Sequence, residues 1–315
     1  MIINDKNTNL KQWVIPYIDQ PPEFWKNLSG QLGAFVREVY FPISSKIIGS
    51  GRPMQPEFHL NAFLNSGYFN GAVLINPIIL GAPVEFFIDS ILQELDFLLE
   101  HYPISGITVT NLDLAKWIHG NFPEIPLTAS ILMDICKPNQ VEMLGDMFDC
   151  LVPSSRIMRD ITALRHIREA FKGKIRLIVN EACVPGCPYR VQHFYEMCSD
   201  NMISRALCDD MLKAMPWLRL TGAWVLPQHL HLYEGVYDEL KLAGRATLQD
   251  PAKYFKVLNA YIAGEPLAPN EIGGGPASLL TPVDIDPDFY RHTMECSNQC
   301  HNCDICRKYY ENLKK

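Results

Sequence analysis

Eight short, near-continuously apolar runs punctuate this chain of 315 residues, and amphipathic stretches lie between several of them. The runs are Trp13–Tyr17, Arg37–Ile43, Ala72–Asn76, Gly106–Thr110, Leu127–Ile131, Asp149–Pro153, Ile175–Asn180 and Gly222–Leu226. Strands that are apolar on both faces belong in a parallel sheet covered by helices. The intervening VEFFIDSILQELDFLLEHY, QVEMLGDMFD and ITALRHIREAFKG carry helical spacing. Eight such alternations predict an α/β fold of the (β/α)8 TIM-barrel type. An open doubly wound sheet is the alternative, weakened because no GxGxxG follows the first strand. The boundaries expected are a barrel over 1–263, a Gly/Pro-rich linker or wrapping arm over 264–290, and a cysteine-rich tail over 291–315.

Apolar content of 48% and charged content of 20% suit a sizeable core. A net charge of −7 argues against a dedicated nucleic-acid binder. The N-terminus MIINDKNTNLKQW has no basic segment followed by an apolar one, so it does not read as a signal peptide. The most apolar region is interrupted by Asn76, Pro77, Gly81, Pro83 and Glu85, so no membrane span is expected. A cytoplasmic protein is the expectation.

In a barrel, chemistry sits where strands end. Those ends carry Ser44, Ser45, Asn76, Asn111, Ser130, Asp134, Ser154 to Arg156, Asn180, Glu181 and Gln228 to His231. Any one of them also serves as a cap for the following helix. Glu181, His193 and His229 are acid/base candidates. Arg190, Arg52 and Arg245 are candidates to clamp a carboxylate or phosphate, with Gly49 and Gly51 admitting backbone N–H groups to the same anion. The competing roles are an exposed turn for Arg52, an ion pair with Asp238 for Arg245, a helix surface for His193 and a turn cap for Glu181.

Ten cysteines are many for a reducing compartment. Cys136 and Cys150 lie in apolar runs and read as buried small hydrophobes. The other eight form two groups. Cys183 and Cys187 share one turn, with Cys198 and Cys208 in the helical stretch beyond. Cys296, Cys300, Cys303 and Cys306 crowd into eleven residues of polar tail. Soft thiolates at such spacing suit an iron–sulfur cluster, with zinc as the alternative, above all at the tail. The tail's C-x3-C-x2-C matches the spacing of radical SAM enzymes, but it follows the last strand instead of the first.

Three segments carry a family resemblance. NEACVPGCPYRVQHF, IIGSGRP and VLPQHLHLYEGVYDELKLAGR are similar to the signatures of the collagenase-like peptidases, family U32. Together they span about residues 47–245. The resemblance extends to the family's ubiquinone- and RNA-hydroxylation proteins. It implies a barrel with a four-cysteine 4Fe–4S cluster, to which Cys183 and Cys187 map directly and Cys198 and Cys208 at a different spacing. It also implies oxygen-independent hydroxylation, with prephenate proposed as oxygen donor. The expectation is therefore an iron–sulfur redox enzyme with one or two 4Fe–4S clusters. Its substrate would be a small molecule, peptide or RNA, and an electron-donor protein or related subunit would be its partner. The alternatives are a peptidase and a non-enzymatic electron-transfer or scaffold subunit. Neither GxSxG nor HExxH occurs.

Overall fold

The computed structural model describes residues 12–43, 57–76, 84–181, 183–198, 203–244, 248–272, 285–296 and 299–313. Its centre is a closed barrel of eight parallel strands in sequential order. These are β1 (Trp13–Pro16), β2 (Val36–Pro42), β3 (Gly71–Ile75), β4 (Ile104–Val109), β5 (Leu127–Ala129), β6 (Cys150–Leu151), β7 (Lys174–Ile178) and β8 (Glu239–Lys241). Closure comes from β1 pairing with β8, Trp13 opposite Leu240 and Val14 opposite Lys241.

The helices are α1 (Pro22–Leu32), α2 (Leu60–Ser66), α3 (Ile88–His101), α4 (Leu112–Asn121), α5 (Pro138–Leu144) and α6 (Ile161–Ala170). They continue as α7 (Arg190–Cys198), α8 (Ile203–Ala214), α9 (Pro251–Ala263), α10 (Pro287–Met294) and α11 (Ile305–Asn312). Apolar spacing decides which face each helix buries. Ile88, Ile91 and Leu95 of α3 face inward, as do Ile161, Leu164 and Ile167 of α6. Asn111 and Asp160 cap the N-termini of α4 and α6, accepting from the amides of Leu114 and Ala163 at 2.9 Å each. Asn111 is therefore a cap. No helix among the described residues is long and apolar enough to cross a membrane.

The barrel differs from the sequence expectation at its last strand. Gly222–Leu226 is not β8; that strand is the Glu-Leu-Lys of 239–241. The 222–226 segment instead runs antiparallel along the extension of β7, with a bridge between Asn180 and Trp224. Val225 donates to the Val179 carbonyl at 2.7 Å and Ala223 to the Cys183 carbonyl at 3.2 Å. It is apolar because it packs onto the barrel rim, with Ala223 to Leu226 fully buried. His229 accordingly follows this rim segment and precedes β8, in a 3-10 turn over Pro227–Tyr233.

The two faces of the strands divide cleanly. Ile15, Val39, Phe41, Val73 and Ile75 join the main core beneath the helices. Val14, Tyr40, Ala72 and Leu74 form a separate cluster on the opposite strand faces, within the barrel. Toward the N-terminal end the interior turns polar. Arg176 of β7 is 3% exposed and bonds both Glu239 (2.7 Å) and Glu38 (2.8 Å). Arg37 reaches Glu239 at 2.5 Å, and Ser105 donates to Glu38 at 2.9 Å. Burial opposes the Glu239 charge, but Arg176 and Arg37 outweigh it and hold the carboxyl below the ordinary range. Burial pushes the neighbouring Cys150 thiol up to about 11, so it is an inert core thiol.

Candidate functional site

The C-terminal ends of β5, β6 and β7 converge on one polar cluster. Asp134 follows β5 and a short 3-10 turn, Ile131–Met133. It is the one non-glycine described residue with a positive φ, 57°. Aspartate tolerates this left-handed conformation better than most side chains. The Ile131 carbonyl accepts from the Asp134 amide at 3.2 Å, and the Asp134 carbonyl accepts from Gln140 at 3.3 Å. This conformation turns the carboxylate toward three partners. The Ser154 hydroxyl donates to Oδ1 in a short hydrogen bond. Arg156 Nε lies 2.9 Å from Oδ2, and Arg190 Nη1 lies 3.4 Å from Oδ1.

Ser154 and Ser155 are fully buried, and Arg190 is 8% exposed. The Nε and Nη2 atoms of Arg190 and the Ser155 hydroxyl have no hydrogen-bond partner among the described residues. A buried guanidinium with two unmet donors is costly unless something else supplies the acceptors. Arg190 also lies over the Phe194 ring at 5.3 Å, which fixes its plane.

The other expected site residues fall in several places. Glu181 is buried, and its carboxylate accepts from the Cys183 amide at 3.1 Å, the turn-capping role. His193 is half-exposed on α7, with its ring 6.3 Å from that of Phe194. Asn180 is structural, bonding Ala243 and the Ile272 carbonyl. Asp238 pairs with Arg168 at 2.6 Å. Gly49, Gly51, Arg52 and Arg245 lie outside the described residues, as do Ser44 and Ser45.

His229 belongs to a second group. It is 3% exposed and packs against Tyr290 of α10, with ring centroids 4.0 Å apart and planes tilted by 31°. Neither ring nitrogen has a partner among the described residues. Arg159 lies beside it, bonding the Leu220 (2.6 Å) and Gly222 (3.2 Å) carbonyls. Its guanidinium also sits over Trp224 and Tyr290 at 4.6 and 4.4 Å. Burial first, then Arg159, His231 and Arg291, lower the His229 pKa from 6.5 to about 4. The folded protein thus keeps this imidazole neutral while the unfolded chain takes up a proton near pH 6.5. The stability is complete above pH 6.5 and lost as pH falls toward 4, by on the order of 2–3 kcal/mol. Denaturant titrations at pH 7 and pH 4.5 should show this loss, and His229→Phe should remove that part of the slope. An unchanged slope in the variant would assign the pH dependence to other groups.

The nine cysteines with described side chains are thiols, not disulfides. Burial and the nearby Cys187 raise the Cys208 pKa, so these two lie within electrostatic reach of each other across the turn and α8. Cys183 shares the turn; the Cys198 side chain lies outside what the structure describes. Cys296, Cys300, Cys303 and Cys306 all line one cavity of about 220 Å³. A larger cavity of about 510 Å³ opens at the opposite, N-terminal end around Arg37, Asp149, Lys174 and Glu239. Barrel chemistry belongs to the C-terminal face, so this larger opening is not the candidate site.

Sequence reasoning noted Asp134 and Ser154 among the polar strand ends but did not choose them as site residues. The missed signal was their joint position with Arg190, which only the barrel order supplies.

No protein-family model matches the chain. In sequence it is similar to a protein of Methanocaldococcus jannaschii named Uncharacterized protease MJ1657. The two are 24% identical over 253 residues, 68% of this chain and 73% of that protein. In fold it is similar to the U32 peptidase Mk0906, with a TM-score of 0.54 and 12% identity over 77% of this chain and 96% of that one. These names overturn the expectation of an iron–sulfur redox hydroxylase and favour its peptidase alternative. The resemblance to the U32 peptidases read from three sequence segments is borne out: the chain is similar to a named protease in sequence and to a U32 peptidase in fold.

Proposed function

We infer that the protein is a hydrolytic enzyme of the peptidase type, acting at the C-terminal mouth of the barrel on a peptide substrate. One observation carries this: a carboxylate, a hydroxyl and a buried guanidinium with two unmet donors meet where β5, β6 and β7 end. Amide hydrolysis needs a proton acceptor for the attacking hydroxyl and a donor for the oxygen that becomes anionic. Asp134 is the acceptor, taking a proton from the attacking water, while the buried Ser154 hydroxyl donates to its Oδ1 and holds the carboxylate in place. Arg190 is the donor to the developing oxyanion. The new C–O bond forms, the C–N bond breaks, and the proton leaves on the amine. The protease name of the M. jannaschii relative supports the same class of reaction.

The test is cleavage of a degenerate peptide library by the reduced full-length protein, with new N-termini read by mass spectrometry. Cleavage by the wild type that disappears in Asp134→Asn, at unchanged melting temperature, is the expected result. An intact library across pH 5–9 with folded protein would reject the hydrolytic assignment.

A further inference from the structure

We propose that Arg156 selects peptides carrying a carboxylate close to the bond to be cleaved, an inference that rests on the hydrolytic reading above. From Leu151 to Arg159, through the end of β6 and the turns beyond it, every residue is buried except Arg156. Those turns are pinned. The Ile157 amide donates to the Ser154 carbonyl at 3.1 Å, and the Asp160 amide to the Ile157 carbonyl at 2.9 Å. The Arg156 amide donates to the Ser154 hydroxyl oxygen at 3.1 Å. A rigid, buried turn thus sends one charged side chain out into the mouth, and a group held in place before binding loses little entropy when it binds.

The guanidinium is fixed at one edge and open at the other. Its Nε lies 2.9 Å from Asp134 Oδ2, and the side chain is 51% exposed. Its terminal nitrogens, Nη1 and Nη2, have no bond to the described residues. That end of the planar fork matches the two oxygens of a carboxylate. Asp134 does not need Arg156 for neutrality, since Arg190 and the Ser154 hydroxyl already reach Oδ1. Two guanidiniums therefore face one carboxylate, a surplus of one positive charge. Glu181, also on the rim, turns to the Cys183 amide and pairs with neither arginine among the described residues. An anionic substrate group balances the surplus.

Geometry limits where that group lies on the substrate. The path from the attacking water through Oδ2 and Nε to the open end of the guanidinium is on the order of 10 Å. At ~3.5 Å per residue, the carboxylate falls within about three residues of the scissile bond. Both a free C-terminus and an acidic side chain supply this chemistry. The two arginines then divide the work. Arg190, buried with unmet donors, meets the oxyanion, whereas Arg156 binds a group whose charge does not change during the reaction. Loss of Arg156 should accordingly raise KM for acidic peptides.

The experiment uses the reduced full-length protein and matched peptides in four forms: C-terminal acid or amide, each with Asp/Glu or Asn/Gln flanking the cleaved bond. Cleavage gives kcat/KM, and N-methylated uncleavable copies give affinity by fluorescence anisotropy. Wild type should favour carboxylate-bearing forms over their neutral counterparts at least tenfold in both readouts. Arg156→Gln should bring the ratio near one, and Arg156→Lys should restore part of it. A residue that only held Asp134 in place would slow all four forms equally and leave the ratio unchanged. Sensitivity to amidation alone would identify the C-terminal carboxylate, and sensitivity to Asp/Glu alone the acidic side chain. A wild-type ratio near one, a ratio that survives Arg156→Gln, or no binding of any form would overturn the proposal. Cleavage without discrimination would reject this inference and keep the hydrolytic reading; Arg156-dependent discrimination in binding without cleavage would do the reverse.

Discussion

Arg176→Ala should destabilise the protein by about 3–5 kcal/mol, the usual cost of removing one partner from a buried ion pair. The side chain lies inside the barrel and bonds two carboxylates, Glu38 on β2 and Glu239 on β8. Its removal leaves Glu38, 3% exposed, with only Arg37 at 3.6 Å and the Ser105 hydroxyl, and Glu239 with only the peripheral Arg37 and Lys174. For a chain of this length the loss corresponds to roughly 5–8 °C in melting temperature. The same network gives the pH response a definite sign. Glu239 titrates below its ordinary value of 4.5, so its contribution is present above that pH and fades as pH falls below it. Replacing Glu38, Arg176 and Glu239 together by apolar residues of similar volume should cost far less than Arg176→Ala alone. Thermal melts of the single and triple variants decide the matter. A single variant within ~1 kcal/mol of wild type would mean that water reaches the interior and solvates the carboxylates.

Arg190→Lys should lower kcat/KM for peptide cleavage by about 10²–10³-fold, the range for losing one oxyanion donor. Lysine keeps the charge beside Asp134 but not the planar fork whose Nε and Nη2 are unmet. Because the oxyanion exists only as the bond is attacked, the loss should fall on kcat and leave KM nearly unchanged. A rise in KM at constant kcat would instead make Arg190 a clamp for a substrate carboxylate. An effect under about fivefold would reduce it to a strut holding Asp134 in place.

The first seven strands were legible because both of their faces are covered, so burial and strand position coincide in the sequence. At β8 the two part company. Its inward residues are Glu239 and Lys241, charged groups made tolerable by Arg176 and by the Tyr40 ring 4.1 Å from the lysine nitrogen. A three-residue strand with two charges resembles a loop. Conversely, Gly222–Leu226 is apolar because it seals the rim, and apolarity reports burial without reporting order in the sheet. The site divides in the same way. Polar strand ends pointed to the mouth, and Arg190 was singled out. Yet the partner that positions it, Asp134, lies 56 residues away and is reached only through barrel geometry. Glu181 looked catalytic from its flanking position, but a turn two residues on already engages its carboxylate. The spacing of the tail cysteines was readable. That they share one cavity with the 216–221 turn was not, since nothing local in the sequence links those segments.

The pairing of Trp13 with Leu240 has a kinetic side. Strand β1 must wait for nearly the whole barrel segment before its second neighbour exists, and contacts so distant along the chain form slowly. The Arg176 contacts to Glu38 and Glu239 can be complete only once that seam has shut. Weakening them should therefore leave the folding rate almost unchanged and accelerate unfolding instead. The charged interior then acts as a latch on a late-closing ring, governing how long the native state lasts more than how quickly it is reached.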